Sequence, residues 1–315
     1  MPAGLIAGFD AGQSHTTCRL AWLDPSGQWR EAGQGEGCGV SHLAAAGGEA
    51  RFQAALRSSL AAARQAAGAG DGPLLAAAVG ASGIEQGSPV QAQGQALAAA
   101  ALQLPSERLH VCGDERTALQ GAFAGGPGIL VISGTGCIAV GQNSAGNSHR
   151  CGGWGWLLDG AGSAMDLGRD GLAMSVQMAD GRRAETPLRT VLWQALEAGT
   201  AQELKARVVE PGFGAAGFAR LAPLVNQLAL EGDAPSREIV ERSGLALAAL
   251  VQGVAAALQM PAASVCGVGG ALRHLGALRQ AFSHQLSQRL PHAQLLEPLG
   301  DAQQGALALA AALAA

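Results

Sequence analysis

The chain has 315 residues, of which 48% are hydrophobic, 14% charged and 3% aromatic, a length that suffices for two domains of ordinary size. The formal net charge of −4 argues against a nucleic-acid partner, and because Lys205 is the only lysine, a lysine-containing P-loop is excluded. The six cysteines form no C-x-x-C pair, so we expect reduced thiols. Neither a signal peptide nor a membrane-spanning tail is evident, and we expect a cytoplasmic protein without a membrane partner.

The first part of the chain alternates strand-like and helix-like segments. Residues 5–9 and 17–23 are apolar and flank a polar glycine loop, which predicts a β-hairpin. In five further segments the spacing of apolar residues predicts one element each. Residues 49–67, 91–102 and 117–124 are predicted to be helices, and residues 74–80 and 108–112 are predicted to be strands.

A second strand–loop–strand arrangement begins near the middle of the chain. Residues 128–133 and 137–141 flank a glycine-hydroxyl loop as the opening strands do, so we expect an internal duplication of architecture. Together the patterns predict an α/β fold of two related halves with a cleft between them. Residues 162–290 are otherwise predicted to be mostly helical, with loops at Pro211 and Pro235 and a strand at 264–268, and a terminal helix follows residues 300–305.

Three loops have the character of a nucleotide site. The loop headed by Asp10, the loop at residues 133–136 and the loop at 267–271 are rich in small residues, so that backbone N–H groups can approach a nucleotide closely. Each loop alone could be an ordinary tight turn. Their order and spacing together favour nucleotide binding. Asp10 is a candidate for holding Mg²⁺ through water, because this ion takes few carboxylates.

Asp114 is the candidate catalytic residue. It follows a predicted strand, where α/β sites gather, and its carboxylate could accept the proton of an attacking hydroxyl. The alternative is that Asp114 caps the helix through Thr117, since Asp is favoured at helix N-caps. Residues 151–156 hold two indoles among glycines and could either stack on a sugar or form a tight loop anchored by buried Trp. Asp166 and Asp170 lie in a predicted helix, where we expect them to be solvated.

As a set, these motifs resemble the N-acetylglucosamine/glucosamine kinases of the BadF/BcrA-type ATPase family, within the actin/hexokinase/Hsp70-like superfamily. The resemblance implies two ribonuclease-H-like domains, residues 1–116 plus about 300–315 and residues 117–299. It also implies ATP and Mg²⁺ in the cleft between them and a sugar at its mouth, with domain closure that excludes water. The residues that carry the resemblance are 10–20, 113–114, 133–137, 151–156 and 266–272.

The resemblance also implies roles for individual residues. Asp114 is implied as the general base and Asp10 as the Mg²⁺-associated acid. The ATP-binding residues that it implies are Gly12, Gln13, Ser14, Thr16, Gly134, Thr135, Gly136, Gly269, Gly270 and Ala271. The sugar-binding residues that it implies are Ser82, Asp114, Thr135, Cys151, Gly153 and Trp154.

The sequence departs from this family in the loop that contacts the sugar. The family usually has Gly-Asp-Glu-Gly-Ser there, whereas Gly160 and Ala161 stand in place of the acidic pair. We expect Asp159, one position earlier, to take over the sugar contact. In the first phosphate loop, Gln13 adds bulk where the family has a glycine.

The expected function is ATP-dependent phosphorylation of an amino sugar, a small-molecule substrate, and a homodimer is left open. One alternative is an ATPase that activates an iron–sulfur electron-transfer system, which needs cysteine thiolates at a dimer interface. The Lys-Cys-Ala-Ala-Gly-Thr-Gly run of such activators is absent. Another alternative is a nucleotide-binding regulator without catalysis, which the altered loop at Gly160 and Ala161 would fit.

Overall fold

The computed structural model describes residues 4–70 and 72–314. These residues form two compact units, and each is described by itself. Unit 1 consists of the described residues up to Gly126 together with the segment that begins at Pro298, and unit 2 consists of Pro127–Glu297. Unit 1 is therefore discontinuous in sequence.

Unit 1 is built on a five-stranded sheet with the strand order β3-β2-β1-β4-β5. β1, β2 and β3 are antiparallel neighbours, whereas β4 and β5 run parallel to β1. The strands are β1 (Gly4–Ala11), β2 (His15–Leu23), β3 (Trp29–Cys38), β4 (Leu74–Ala81) and β5 (Leu109–Gly113). The helices are α1 (Gly48–Ala67), α2 (Pro89–Leu102), α3 (Asp114–Ala122) and the last helix of the chain, α12 (Ala302–Ala314), and a 3₁₀ turn (Ser106–Arg108) precedes β5.

Helices cover both faces of this sheet, because its central strands are apolar on both sides. On one face, Phe9 of β1 packs in a cluster with Phe52 of α1 and side chains of α2. On the other face, Ile6 of β1 packs in a cluster with Leu307 of α12. A Cβ at Gly8 would lie 2.7 Å from the backbone nitrogen of Leu307, so α12 sits directly on the strand backbone.

The edge strand β3 packs on α1 through glycine. A Cβ at Gly33 or Gly35 would overlap the backbone of α1, and one at Gly37 would overlap the Ser58 side chain. Alternate residues of this strand therefore have no side chain where the helix approaches. β3 is not predictable from the sequence, because its inward-facing positions lack the apolar side chains that mark a strand.

Unit 2 is built on a second five-stranded sheet, with the strand order β10-β9-β6-β7-β8. Its strands are β6 (Gly128–Ser133), β7 (Cys137–Gln142), β8 (Ser148–Gly152), β9 (Ser264–Val268) and β10 (Gln294–Leu296). Its helices are α4 (Ala164–Ala179), α5 (Pro187–Ala195), α6 (Ala201–Val208), α7 (Gly214–Ala219), α8 (Ala222–Glu231), α9 (Ala234–Leu258), α10 (Gly270–His274) and α11 (Gly276–Arg289).

The two sheets share one topology. Read from its other edge, the sheet of unit 2 has the order β8-β7-β6-β9-β10, which matches β3-β2-β1-β4-β5 strand for strand. The directions match as well, since β6, β7 and β8 are antiparallel neighbours and β9 and β10 run parallel to β6. The prediction of an α/β fold with two related ribonuclease-H-like halves is confirmed.

Several boundaries differ from those expected from the sequence. The sequence placed the first domain boundary after residue 116, whereas the contacts extend unit 1 to Gly126. The reason is that α3 packs against the start of α12: a Cβ at Gly121 would overlap the carbonyl of Asp301, which precedes α12, and one at Gly305 would overlap the Thr117 carbonyl of α3. Gly305 lies inside α12, and Pro235 lies in the first turn of α9 rather than in a loop. Proline is tolerated there because the first N–H groups of a helix have no partner within it.

Helix α9 is long and apolar enough to cross a membrane by length and composition alone. Half of its most apolar window is buried inside the protein, including Ile239, Leu247 and Val251. These side chains belong to the main hydrophobic cluster of unit 2. The helix therefore has the burial of a core helix in a globular unit.

Candidate functional site

The carboxyl ends of three neighbouring parallel strands bring polar residues to one edge of the unit 1 sheet. Asp10 lies near the end of β1 and pairs in register with Gly80 of β4. Ser82 directly follows β4, and Asp114 directly follows β5. Asp10 and Asp114 are thus two strand positions apart, which corresponds to about 10 Å between strand axes. This edge collects three of the residues singled out from the sequence.

The first glycine loop is a tight turn between β1 and β2. Its Gly12 N–H donates to the carbonyl oxygen of His15 at 3.1 Å, and the Gly12 carbonyl accepts from Val40 N–H at 2.9 Å. Gln13 and Ser14 are exposed at its tip. Thr16 is fully buried, and its Oγ1 has no hydrogen-bond partner among the described residues. The accessible part of the loop is therefore Gly12 to Ser14.

The surroundings of Asp10 disfavour the negative charge of its carboxylate, and a bound cation would stabilise that charge. Burial raises the pKa of its carboxyl group and so do the charges of Asp114 and Asp301, whereas His15 lowers it; together they move this pKa from 3.8 to about 6. Among the described residues no group of three or more His, Cys, Asp or Glu could hold a metal ion by itself. A single half-buried carboxylate among like charges fits an ion that keeps most of its waters, as Mg²⁺ does.

Asp114 is the first residue of α3, and the helix is capped by Gly113 without a side-chain hydrogen bond. The Oδ1 atom of Asp114 accepts from the N–H of Glu115 at 3.1 Å. Asp114 is therefore the first residue of the helix and not its N-cap, although its carboxylate accepts from a first-turn N–H. Burial raises the pKa of Asp114, and backbone hydrogen bonds to the carboxylate partly offset this rise. A more basic carboxylate is a better proton acceptor.

The second glycine loop connects β6 to β7 in the same way that the first connects β1 to β2. The N–H of Gly134 donates to the carbonyl oxygen of Gly136 at 2.9 Å, and Thr135 is exposed at the tip. A Cβ at Gly134 or at Gly136 would meet no atom within 4 Å. Both backbone positions thus face open space, as a phosphate-binding loop requires.

The third glycine loop lies where β9 runs into α10. Gly269 has φ +95° and a Cβ there would overlap the carbonyl of Ser133, so only glycine fits between the strands. Gly270 meets nothing within 4 Å, whereas Ala271 is buried. Since β9 pairs with β6, this loop and the Gly134 loop share one edge of the unit 2 sheet.

The segment after β8 exposes the largest apolar side chains of unit 2. Trp154 is 59% exposed and Leu158 87% exposed, and the guanidinium of Arg150 lies 4.3 Å from the Trp154 ring centre. Cys151 is half-buried. Gly153 has φ +77°, and a Cβ there would lie 2.8 Å from the Ile138 side chain. The indole of Trp154 is therefore presented outward by a backbone that requires glycine.

Asp159 is half-buried and its carboxylate turns towards the strands. Its N–H donates to the Gly155 carbonyl at 2.8 Å. Its Oδ2 atom lies 3.4 Å from the position that a Cβ would take at Gly152. After burial, the charge of Asp159 is the next cause of the raised pKa of Cys137. The carboxylate expected to replace the missing acidic pair thus lies at the base of the loop.

The expectation that Asp166 is solvated is wrong. Its side chain is buried, and Oδ2 accepts from Gly162 N–H at 3.1 Å and from Ser243 Oγ at 3.3 Å. Its Oδ1 accepts from Arg169 at 2.6 Å. The Ser163-x-x-Asp166 spacing was the sequence signal for this role, because it is the pattern of a helix N-terminal capping box, and Ser163 does cap α4.

Asp170 is also less solvated than expected. It is half-buried and forms ion pairs with Arg169, at 3.4 Å, and with Arg242. Both acidic side chains of α4 are therefore held by hydrogen bonds or ion pairs within unit 2. Neither is placed in the glycine loops.

Residues 160–164 are fastened to the second glycine loop by three hydrogen bonds. Ser133 Oγ donates to the Gly162 carbonyl at 2.8 Å, and Cys137 Sγ donates to the Ala161 carbonyl at 3.2 Å. The N–H of Ala164 donates to the Gly134 carbonyl at 2.8 Å. The position of one loop therefore fixes the position of the other.

The sequence profile of the BadF/BadG/BcrA/BcrD ATPase family matches residues 7–310 of this chain. The chain belongs to this family. Membership of an ATPase family implies that ATP is used.

Two curated relatives of this BadF/BadG/BcrA/BcrD ATPase are sugar kinases. The N-acetylmuramic acid/N-acetylglucosamine kinase of Clostridium acetobutylicum is 28% identical over 205 residues, which cover 64% of this chain and 67% of that protein. The N-acetyl-D-glucosamine kinase of Dictyostelium discoideum is 32% identical over 187 residues, 58% of this chain and 59% of that protein. The second relative is thus matched over less than two thirds of its length.

Solved structures of the same fold extend over the whole chain. A candidate N-acetylglucosamine kinase from Chromobacterium violaceum superposes with a TM-score of 0.77 at 28% identity, covering 98% of this chain and 100% of that one. A ROK family glucokinase from Streptomyces griseus, solved with glucose and AMPPNP, superposes with a TM-score of 0.57 at 16% identity, covering 98% and 99%. The second similarity shows that this BadF/BadG/BcrA/BcrD ATPase shares the glucokinase fold.

Proposed function

We propose that this protein is a sugar kinase that transfers the γ-phosphoryl group of ATP to a hydroxyl of an N-acetylated amino sugar. The observation that carries the proposal is the half-buried Asp114, whose pKa is raised, at the edge of the sheet that also presents Asp10 and the first glycine loop. The names of the two curated relatives support an amino sugar as the acceptor. We also propose that the protein works in the cytoplasm.

Asp114 acts as the general base in this proposal. Its carboxylate accepts the proton of the sugar hydroxyl while the hydroxyl oxygen attacks the γ-phosphorus and the bond to the β–γ bridging oxygen breaks. The hydrogen bond from Glu115 N–H holds Oδ1 in place and leaves Oδ2 to receive the proton. Partial burial raises the basicity of the carboxylate.

The open glycine positions bind the nucleotide in this proposal. The N–H groups of Gln13, Ser14, Thr135 and Gly136 donate to phosphate oxygens, since those of Gly12 and Gly134 bond within their own loops. The loop at Gly269 and Gly270 receives the adenosine. Mg²⁺, held near Asp10 through water, would supply positive charge to the phosphates.

Sugar recognition falls to Ser82 in unit 1 and to the loop after β8 in unit 2. The exposed Trp154 indole offers an apolar face for the sugar ring, and Asp159 accepts from sugar hydroxyls. Cys151, Gly153 and Thr135 complete the proposed contacts. The acidic pair of the family is missing, so the sugar is held by fewer charged groups than in its relatives.

The cysteines do not favour the iron–sulfur alternative. Burial raises the pKa of Cys137 to about 12 and also raises the pKa of Cys151. A cluster shared between subunits needs thiolates at an exposed face, and Cys137 is buried and Cys151 half-buried.

The test is ADP release measured with N-acetylglucosamine, glucosamine, glucose, N-acetylmuramic acid and N-acetylmannosamine. We expect turnover to depend on an amino sugar, and Asp114→Asn to lower it by roughly 10²–10⁴-fold with ATP affinity almost unchanged. Glu107→Gln, a change at an exposed residue of the same unit, is the control. ATP binding without any sugar-stimulated ADP release would instead identify a nucleotide-binding regulator.

A further inference from the structure

A concave pocket of about 560 Å³ lies in unit 2 among α4, α6 and α7. None of its lining residues belongs to the glycine loops or to the loop after β8. Its walls are mainly apolar, and its volume falls within the range of about 300–1,000 Å³ that small-ligand sites occupy. The apolar side chains that matter below are Leu172, Val176, Leu204, Val208 and Phe218.

The polar groups of this pocket are cationic or neutral. Arg169 and Lys205 line it together with Gln202, and none of the described residues lining it is acidic. Lys205, the only lysine of the chain, is exposed and forms no ion pair with the residues that the structure describes. An apolar pocket with an unpaired ammonium group in its lining is complementary to a molecule with an apolar body and one negative charge.

The pocket is connected to the loop after β8 on two sides. Arg169 donates to the buried Asp166 at 2.6 Å, and the other oxygen of Asp166 holds the N–H of Gly162 at 3.1 Å. On the second side, the ring of Phe218 lies 6.4 Å from the ring of Trp156, centre to centre. A ligand in the pocket would therefore touch one residue that contacts the loop directly and one that contacts it through Asp166.

We propose that this pocket binds a small amphipathic monoanion, such as a medium-chain carboxylate, and that binding alters the loop of residues 153–163. The apolar chain lies between α4, α6 and α7, and the anionic head pairs with Lys205 and competes with Asp166 and Asp170 for Arg169. Weakening of the Arg169–Asp166 ion pair loosens the hold of Asp166 on Gly162. The effect on sugar affinity rests on the proposed kinase activity, whereas the binding itself does not.

Binding is tested by calorimetry with octanoate, octanamide and octylammonium as matched probes. We expect octanoate to bind most tightly and octylammonium most weakly. Ala173→Phe fills the pocket from an exposed position of α4 and should abolish octanoate binding, whereas Ala179→Phe on the same helix, outside the lining, should not. Lys205→Gln should weaken octanoate binding about fivefold, which is the contribution expected of a partly exposed ion pair. Lys205→Arg should restore the affinity.

Coupling to the loop is tested by hydrogen exchange over residues 153–163 with and without octanoate. We expect faster exchange with octanoate in the parent protein and no change in Ala173→Phe. The same addition should raise the KM for the sugar. Equal octanoate affinity in the parent and Ala173→Phe overturns the site, and unchanged exchange at saturating octanoate overturns the coupling. Both readouts remain valid if no sugar stimulates ADP release, so failure here is distinguishable from failure of the kinase proposal.

Discussion

At the scale of the residue, Asp10 combines a proposed function with a cost to stability. Its folded-state pKa, about 6, lies above the ordinary 3.8 because of burial and of the charges of Asp114 and Asp301, with His15 opposing. A raised carboxyl pKa means that the folded state binds the proton more tightly than the unfolded state does. Folding stability therefore falls as pH rises from about 4 to about 6 and stays lower above that range.

Asp10→Asn should make the metal-free protein more stable at pH 7.5. Removing the buried charge should add on the order of 2 kcal/mol, or roughly 4–8 °C in Tm. The measurement is thermal unfolding in EDTA at pH 7.5 and again near pH 4, where the carboxyl is protonated in the folded state and about half protonated in the unfolded state, so that the gain should shrink. A gain of equal size at both pH values would show that charge is not its origin. The variant should also lose most of its Mg²⁺-dependent nucleotide affinity.

Asp159→Ala tests the carboxylate that we expect to have replaced the missing acidic pair. The side chain lies at the base of the loop, beside Gly152, where it can accept hydroxyl hydrogen bonds. We expect KM for the sugar to rise tenfold or more, about 1.4 kcal/mol, with little change in ATP affinity. Asp180→Ala removes an exposed carboxylate of the same unit and serves as control. Identical sugar kinetics in Asp159→Ala and the parent would show that this carboxylate does not contribute to sugar binding.

At the scale of the element, the glycine loop between β6 and β7 can be probed without disturbing the fold. Because a Cβ at Gly136 would meet no protein atom within 4 Å, Gly136→Val should leave the Tm nearly unchanged. It should weaken ATP binding about tenfold, or 1.4 kcal/mol, if phosphate oxygens approach the backbone there. Gly276→Val, at another open glycine of the same unit, is the control for titrations with a non-hydrolysable ATP analogue. Unaltered ATP affinity in Gly136→Val would remove this loop from the nucleotide site.

Elements with apolar periodicity were predictable from the sequence, whereas elements built on glycine were not. β1, β4 and β6 carry continuous apolar runs, and the structure has strands there. β3 could not be predicted, because the positions of this strand that face α1 are occupied by Gly33, Gly35 and Gly37. β10 is only three residues long and all three are exposed, so hydrophobic patterning carries no signal there.

The residues of the candidate site also differ in how far the sequence could predict them. Asp10 and Asp114 could be found because each follows an apolar strand run. The buried role of Asp166 depends on Ser243 and Arg169, and the contact with Ser243, on another helix, is set by tertiary packing. The capping pattern at Ser163 indicated a helix start but not this longer network.

At the scale of the whole molecule, unit 1 depends on a segment that follows unit 2 in the chain. α12 packs on β1 through Leu307 and Ala310 and is tied to β2 by Gln303, whose amide donates to Thr17 Oγ1. Arg19 of β2 pairs with Asp301 at 2.8 Å. The segment from Pro298 onward is thus an integral part of the unit 1 fold.

Gly305→Val should separate the stabilities of the two units. The added side chain would overlap the Thr117 carbonyl of α3, and overpacking at a helix contact costs about 1–3 kcal/mol or more. We expect hydrogen exchange to accelerate in β1, β4 and α3 while unit 2 keeps its protection. Ala312→Val, at an exposed position of the same helix, should leave both units unchanged. Uniform acceleration across both units would contradict the assignment of α12 to unit 1 alone.

A ribosome makes the residues from Pro298 onward only after it has made all of unit 2. Until they emerge, the nascent sheet of unit 1 exposes the apolar face that carries Ile6, Ala76 and Ala78. Unit 2 is continuous in sequence and can close its core first. At typical synthesis rates, the roughly 170 residues of unit 2 take roughly 10–30 s to translate. During that interval the unit made first remains unfinished, and its uncovered sheet is the surface that a ribosome-associated chaperone would have to shield from aggregation.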